Sequence, residues 1–135
     1  LISKRIGLIK RKSHLYNTAP WGNINQPDFL NQVLIVSTRL PALETMKAIL
    51  AIEEKIGRVR TVKNAPRIID IDILFFDKDI INESILTVPH PALANRMFVL
   101  VPLNELSPAF IHPVLKKSIH YLLKNCPDTL GVKKI

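Results

Sequence analysis

The stretch that decides the fold reads Ile68-Ile69-Asp70-Ile71-Asp72-Ile73-Leu74-Phe75-Phe76. Its apolar positions are almost all β-branched or aromatic, which predicts a strand over Ile68–Phe76. Side chains alternate between the two faces of a strand, so Asp70 and Asp72 should point the same way, about 7 Å apart. The isoleucines between and beside them fill the opposite face. The stretch therefore predicts a sheet with one apolar face and one face that bears two carboxylates.

The two carboxylates are a candidate magnesium site. Like charges on an otherwise apolar strand are costly unless a cation lies between them. Magnesium takes one or two carboxylates and completes its octahedron with water and substrate phosphates. The alternative is that Asp70 and Asp72 form ordinary salt bridges to arginine. The spacing alone leaves both interpretations open.

A basic loop over Arg58–Arg67 comes directly before this strand and contains three arginines and one lysine. Arginine offers a planar fork for phosphate oxygens, so the loop and the strand together supply anion-binding groups and metal ligands. These are both halves of a phosphoryl-transfer site. The alternative is a solvated basic loop. The chain has no Walker-type glycine loop and no GxGxxG motif, so a nucleotide site here would be of another kind.

The rest of the chain alternates strand and helix patterns. A helix between two strands predicts that Phe29–Leu40 and Ile68–Phe76 are parallel in one sheet, adjacent or not. The other predicted elements are a helix tail over Leu1–Arg5 closed by Gly7, a strand over Leu8–Tyr16, a loop over Asn17–Gln26, a helix from Pro41 to Gly57, a turn at Asp77–Asp79, extended pieces at Ile80–Ile81 and Leu86–Val88, and helices over Phe98–Leu106 and Leu115–Cys126. The first of these two helices should be broken or kinked at Pro102.

Composition bounds the class of protein. The chain has 135 residues, of which 47% are hydrophobic and 22% charged, as expected for one globular domain. Cys126 is the only cysteine, which excludes an internal disulfide and favours a reducing cytoplasm. No apolar run approaches the ~18 residues of a membrane span. The net charge of +8 lies entirely in residues 1–67, which indicates either an anionic partner or a solvated basic face.

Two further segments contain candidates for binding a flat ligand. Trp21 is the only tryptophan and falls in a loop rich in Pro, Gly and Asn. Phe29 and Asn31 stand two apart on one face of a predicted strand, so a ring lies beside an amide that both donates and accepts. This pair suits a planar heterocycle. It equally suits a core phenylalanine with a capping asparagine.

These segments occur together with others further along the chain. The set comprises Gly57-Arg58-Val59-Arg60, Pro66-Arg67-Ile68-Ile69-Asp70-Ile71-Asp72-Ile73, Leu86-Thr87-Val88-Pro89-His90-Pro91 and Asn95-Arg96-Met97-Phe98, with Tyr16–Pro20 and Gln26–Asn31 upstream. Over about Leu8 to Leu106 it resembles the 6-hydroxymethyl-7,8-dihydropterin pyrophosphokinase family of folate biosynthesis. The combination of P-R-x-x-D-x-D with V-P-H-P is specific to that family.

The resemblance implies a fold and an activity. The fold would be a ferredoxin-like α+β sandwich, with a mainly antiparallel sheet and helices packed on it. The enzyme would transfer pyrophosphate from ATP to the hydroxymethyl group of 6-hydroxymethyl-7,8-dihydropterin and release AMP. It would act as a cytoplasmic monomer with no nucleic-acid or membrane partner.

The resemblance also implies site residues. Two magnesium ions would be held by Asp70 and Asp72, which would form the catalytic centre with Arg58 and Arg67. The residues implied at the ATP site are Glu53, Arg58, Arg60, Arg67, Ile73, Leu86, Thr87, His90 and Arg96. Those implied at the pterin pocket are Thr18, Pro20, Trp21, Phe29, Asn31 and Phe98, with the pterin ring stacked between the two phenylalanines.

The sequence departs from the family pattern in two places. Asn64 stands where the family often has a tryptophan that closes over the pterin. The family also begins with a strand ending in Gly-Ser-Asn and a first helix, and that strand is central in a ferredoxin-like sheet. We therefore expect a single domain over residues 1–135 that is N-terminally incomplete, preceded by about two dozen residues in the natural protein.

Two other functions are compatible with parts of the sequence. One is a basic ferredoxin-like RNA-binding domain, although the chain lacks the aromatic-rich strand motif that stacks bases, and paired aspartates would repel a nucleic-acid backbone. The other is a relative of the pyrophosphokinases without activity.

Overall fold

The computed structural model describes residues 1–18, 29–57, 70–129 and 131–135. A short 3₁₀ helix lies at Leu93–Asn95, within a series of helices and strands. In chain order these are α1 (Ile2–Arg5), β1 (Gly7–Lys12), β2 (Tyr16–Thr18), β3 (Phe29–Asn31), β4 (Leu34–Thr38), α2 (Ala42–Gly57), β5 (Ile81–Asn82), β6 (Thr87–Val88), α3 (Met97–Leu106), α4 (Ile119–Lys124) and β7 (Val132–Lys134).

The chain forms two compact units. Unit 1 comprises Leu1–Lys10 and Val36–His90, and unit 2 comprises Arg11–Ile35 and Pro91–Ile135. We predicted an α+β fold. The described residues form helices and antiparallel strand pairs, so this assignment is confirmed. Among the described helices none is long and apolar enough to cross a membrane.

Helix α2 is the main helix of unit 1 and begins and ends close to the predicted bounds. Its first turn follows Pro41, whose carbonyl accepts hydrogen bonds from the backbone N–H and the hydroxyl of Thr45. Its buried residues recur every three to four positions, at Ala42, Thr45, Ile49 and Ile52, as one face of a helix requires. The first turns of α2 contribute Ala42, Leu43 and Met46 to an apolar cluster with residues of the strand pair β5–β6.

The predicted glycine cap at Gly7 is wrong. Helix α1 ends at Arg5, and Gly7 is the first residue of β1. Glycine is needed there for space, because a Cβ added to Gly7 would overlap the backbone carbonyl of Ser37 in β4. Next to this contact, the Thr38 hydroxyl donates to the carbonyl of Ile6 over 2.6 Å. The close approach therefore brings β1 against β4, with which it forms a two-stranded sheet.

Each of the two long strands predicted near the N-terminus is split in two. Leu8–Tyr16 gives β1 and the start of β2, and Phe29–Leu40 gives β3 and β4. At both breaks side chains enter the pairing: the Ser13 hydroxyl accepts from the N–H of Val33, and the Gln32 amide donates to the carbonyl of Ser13. One backbone bond remains there, from the N–H of Ser13 to the carbonyl of Val33. The predicted loop is also shorter at its start, since Asn17 lies in β2.

The strand predicted over Ile68–Phe76 is not formed in its described part, residues 70–76. Two of its backbone groups bond outside any ladder: the N–H of Ile71 donates to a Glu53 side-chain oxygen, and the carbonyl of Leu74 accepts from the N–H of His90. Strand propensity describes side chains that suit a sheet, but a strand also needs a neighbouring backbone. The predicted parallel pairing with Phe29–Leu40 is therefore wrong for the described residues.

The fold of unit 2 is a three-stranded sheet with helix α3 against it. The strand order is β3-β2-β7, antiparallel throughout, and α3 contacts all three strands. Helix α4 packs on α3. It is shorter than the predicted Leu115–Cys126, because Lys116 has a left-handed backbone (φ 58°) and Ser118 caps the helix by accepting from the N–H of Tyr121.

Candidate active site

The carboxylate pair lies in unit 1 with the exposure expected from alternation. Asp70 and Asp72 are exposed, whereas Ile71 and Ile73 are half-buried. Ile73 packs against the apolar cluster formed by α2, β5 and β6. Although the segment is not part of a sheet, its apolar side anchors it in unit 1 and leaves both carboxylates accessible to a ligand.

A hydrogen bond to helix α2 anchors the backbone between the two carboxylates. The N–H of Ile71 donates to Oε2 of Glu53 over 2.8 Å. Glu53 lies near the C-terminal end of α2 and is half-buried. A hydrogen bond to an ionised acceptor is stronger than a neutral one. Glu53 thus connects the long helix of unit 1 to the residue flanked by Asp70 and Asp72.

Three more residues of the implied ATP site follow in unit 1. Leu86 is buried and belongs to the apolar cluster, and Thr87 is half-buried in β6, with its hydroxyl 3.5 Å from the carbonyl of Glu83. His90 is half-buried, and its N–H donates to the carbonyl of Leu74 over 2.8 Å. The peptide bond between Val88 and Pro89 is cis. The structure thus ties the V-P-H-P motif to the end of the segment that bears the carboxylates.

Unit 2 contains the described residues of the implied pterin pocket. Thr18 in β2 is buried and pairs with Phe29 in the register of the sheet. The side-chain amide of Asn31 donates to the Thr18 hydroxyl over 3.1 Å. Phe29 is 55% exposed, which is unusual for a phenylalanine and leaves a ring face available to a ligand. Asn31 and Thr18 are therefore coupled polar groups beside an accessible aromatic ring.

The start of helix α3 adds two more implied site residues to unit 2. The guanidinium carbon of Arg96 lies 5.5 Å from the centre of the Phe98 ring, within cation–π range. Both side chains are half-buried. Because α3 contacts β2 and β3, the helix that carries Phe98 packs on the strands that carry Thr18, Phe29 and Asn31.

A polar network at the other end of α3 was not predicted from the sequence. Glu105 accepts from the Tyr16 hydroxyl over 2.6 Å and lies 2.9 Å from Nδ1 of His14. The Tyr16 hydroxyl, opposed by burial, lowers the pKa of Glu105, and His14 lowers it further. Burial, followed by the Glu105 hydrogen bond, raises the pKa of Tyr16 to about 12. Tyr16 and Glu105 are 89 positions apart in the chain, so no local sequence pattern predicts their contact.

The structure groups the implied residues by unit. Unit 1 holds the described groups implied for magnesium and most of those for ATP, and unit 2 holds the described groups implied for pterin together with Arg96. Within the described ranges there is no cluster of three or more His, Cys, Asp and Glu side chains, so magnesium would depend on the carboxylate pair. The implied residues that lie outside the described part of the chain are Pro20, Trp21, Arg58, Arg60 and Arg67.

The chain is similar to two bacterial pyrophosphokinases and to a longer folic acid synthesis protein. It is 40% identical over 111 residues to 2-amino-4-hydroxy-6-hydroxymethyldihydropteridine pyrophosphokinase of Aquifex aeolicus, covering 82% of this chain and 69% of that protein. It is 36% identical over 121 residues to the protein of the same name from Synechocystis sp., covering 90% and 62%. It is 39% identical over 127 residues to folic acid synthesis protein FOL1 of Dictyostelium discoideum, covering 94% of this chain but 19% of that protein.

The sequence model of 7,8-dihydro-6-hydroxymethylpterin-pyrophosphokinase matches residues 1–108. The chain therefore belongs to that family, as the motifs predicted. It spans about two thirds of the bacterial relatives above and about a fifth of the Dictyostelium protein.

Proposed function

We propose that the protein transfers pyrophosphate from ATP to the hydroxymethyl group of 6-hydroxymethyl-7,8-dihydropterin. The hydroxymethyl oxygen bonds to the β-phosphorus of ATP, the bond from that phosphorus to the α–β bridging oxygen breaks, and AMP leaves. Membership of the family and the names of the bacterial relatives support this reaction. They do not favour an RNA-binding domain.

The observation that carries the proposal is the arrangement of Asp70 and Asp72. Both carboxylates are exposed, and the residue between them is fixed by Glu53. Carboxylate oxygens are hard ligands of the kind that magnesium prefers, so the donor set fits the ion. We assign two magnesium ions to this pair. Bound there, they would neutralise phosphate charge and orient ATP.

The nucleotide side of the proposal uses groups of unit 1, the basic loop and Arg96. Glu53, Ile73, Leu86 and Thr87 line the ATP site, and His90 contacts phosphate. The remaining phosphate contacts are Arg58, Arg60, Arg67 and Arg96. Arg58 and Arg67 act nearest the reacting phosphorus. Planar guanidinium groups suit this role because each can bond two phosphate oxygens at once.

The pterin side uses groups of unit 2. The heterocycle stacks between Phe29 and Phe98, and Asn31 satisfies its polar edge. The accessible Phe29 ring and the packing of α3 on β3 support this pocket. The Asn31 amide is already oriented by Thr18, so little side-chain entropy is lost when the pterin binds. Pro20 and Trp21 complete the pocket.

We extend the proposal to the state of the protein in the cell. It acts as a monomeric single domain in a reducing cytoplasm, a location that the lone Cys126 supports. Its partners are the two small-molecule substrates rather than nucleic acid or membrane.

The test is AMP release by the natural full-length protein with ATP, the reduced pterin and a magnesium series. Asp72→Asn should raise the half-saturating magnesium concentration and lower kcat by orders of magnitude, because it removes a ligand charge while keeping the shape of the side chain. Asp79→Asn, which alters an exposed carboxylate in the following turn, is the matched control. Turnover and magnesium dependence that are normal in Asp72→Asn would show that the pair is structural.

A further inference from the structure

Helix α3 receives its N-terminal cap from far along the chain. The N–H of Met97, the first residue of α3, donates to Oδ2 of Asp128 over 2.9 Å. The residue before it, Arg96, has an extended backbone (φ −129°, ψ 107°), and its own side chain makes no cap bond. Asp128 thus supplies, from 31 positions away, a side-chain acceptor for the first N–H of α3, at a helix start whose own N-cap residue supplies none.

A carboxylate suits this position for two reasons. The first N–H groups of a helix have no partner within the helix, so an outside acceptor satisfies a group that would otherwise be left unpaired. The helix dipole also places partial positive charge there, which favours an anion. Helix α3 is ten residues long, and the carbonyl of Arg96 already accepts its first internal bonds from Val99 and Leu100.

Asp128 belongs to a C-terminal segment (residues 109–135) that lies beyond the part of the chain matched by the family, residues 1–108. Among the described residues, this segment contacts the rest of unit 2 through α4, Asp128 and β7. Helix α4 packs on α3, Asp128 caps α3, and β7 pairs with β2 so that Val132 lies opposite Thr18. The N–H of Ile135 extends this pairing by donating to the carbonyl of Leu15.

The C-terminal segment contacts the elements that bear residues implied to bind pterin and phosphate. Arg96 and Phe98 flank Met97, so the capped amide lies between two of those residues. Thr18 lies in the strand that β7 pairs with. A displacement of the first turn of α3 would move the Arg96 guanidinium and the Phe98 ring together, because the two are in cation–π contact.

We propose that Asp128 is a positioning residue for the pterin side of the site, acting by capping α3 and thereby fixing the Phe98 ring and the Arg96 guanidinium. The proposal rests on the proposed function. It assigns a role in the site to the C-terminal segment, which is outside the motifs of the family. Asp128 touches neither substrate: its effect on them passes through the first turn of α3.

The test compares two variants that each remove one helix cap from unit 2. Asp128→Ala removes the cap of α3, and Ser118→Ala removes the side-chain cap of α4, which bears no implied site residue. Thr129→Ala, an exposed change beside Asp128, controls for local disturbance of the segment. In the full-length protein we would measure melting temperature, pterin affinity by calorimetry, and hydrogen exchange of the Met97 amide. Asp128→Glu is the conservative variant.

We expect both cap variants to lower the melting temperature by similar amounts. Only Asp128→Ala should weaken pterin binding, by a factor of about 5 to 30, the range that one or two kcal/mol of lost order produces. It should also speed exchange at Met97, and Asp128→Glu should recover part of the affinity. Ser118→Ala and Thr129→Ala should bind pterin like the unaltered protein.

Each negative result of this experiment refutes a different part of the proposal. Unchanged exchange at Met97 in Asp128→Ala would refute the cap. Faster exchange with unchanged pterin affinity, or an equal loss of affinity in Ser118→Ala, would refute the positioning role. If the unaltered protein does not bind the pterin at all, the proposed function fails, and the positioning role fails with it.

Discussion

Removing the Glu53 side chain should disorder the carboxylate pair without altering either carboxylate. In Glu53→Ala the N–H of Ile71 loses its 2.8 Å acceptor. A hydrogen bond to a charged partner contributes about 1.5–3 kcal/mol, and the half-buried position of Glu53 favours the lower end. If about 1.4 kcal/mol of this orders Asp70 and Asp72, the half-saturating magnesium concentration should rise about tenfold. Glu53→Gln keeps a neutral acceptor, so its effect should be only about two- to threefold.

The assay is a magnesium titration of AMP release at saturating ATP and pterin, run beside a urea unfolding curve for each variant. Glu44→Ala is the control, because Glu44 lies on the same helix but is exposed, and its pair with Lys47 at 3.5 Å is a surface contact of little energy. An unchanged magnesium dependence in Glu53→Ala would refute the reasoning. If Glu53→Ala lowers the free energy of unfolding but leaves the magnesium dependence unchanged, Glu53 is a structural contact only.

Two further predictions concern unit 2. Tyr16→Phe removes the 2.6 Å bond to Glu105 and should lower the free energy of unfolding in urea by about 1–3 kcal/mol; an unchanged value would mean that the bond adds nothing. Burial lowers the pKa of His112 in the folded protein. As the pH falls below ~6.5, the His112 imidazole is therefore protonated in the unfolded chain before it is protonated in the folded protein, and the stability present above that pH should be lost. His112→Asn should flatten that slope in urea curves recorded between about pH 7 and 5; an equally steep slope would assign it to another group.

Local signals predicted the helices better than the strands. For α2, the Pro41 start and the apolar spacing agree with the observed Ala42–Gly57, and the predicted Phe98–Leu106 helix differs from α3 by one residue. Pro102 does not break this helix, which continues through it to Leu106. The strands failed where side chains entered the backbone pairing. Ser13 ends one ladder with its hydroxyl, and a serine in the sequence does not reveal whether its hydroxyl faces solvent or a neighbouring backbone.

The site was predictable where it depends on spacing and not where it depends on distant contacts. Alternation predicted that Asp70 and Asp72 share one face and the isoleucines the other. In the described residues both aspartates are exposed and Ile71 and Ile73 are half-buried, although the segment is not a strand. The resemblance supplied Glu53 as an ATP-site residue but not its bond to Ile71. The Asp128 cap joins positions far apart in the chain, which no residue pattern specifies.

The close contact at Gly7 restricts which substitutions the sequence can accept during evolution. Every substitution at the position adds at least a Cβ, and that atom would overlap the backbone of Ser37, which no change of rotamer can move aside. The other residues of β1, Leu8 to Lys12, have exposed side chains. Apart from Arg11, which donates to the carbonyl of Leu106, those side chains can therefore be exchanged one at a time during evolution. Gly7 has no single substitution of that kind and can change only together with the path of β4.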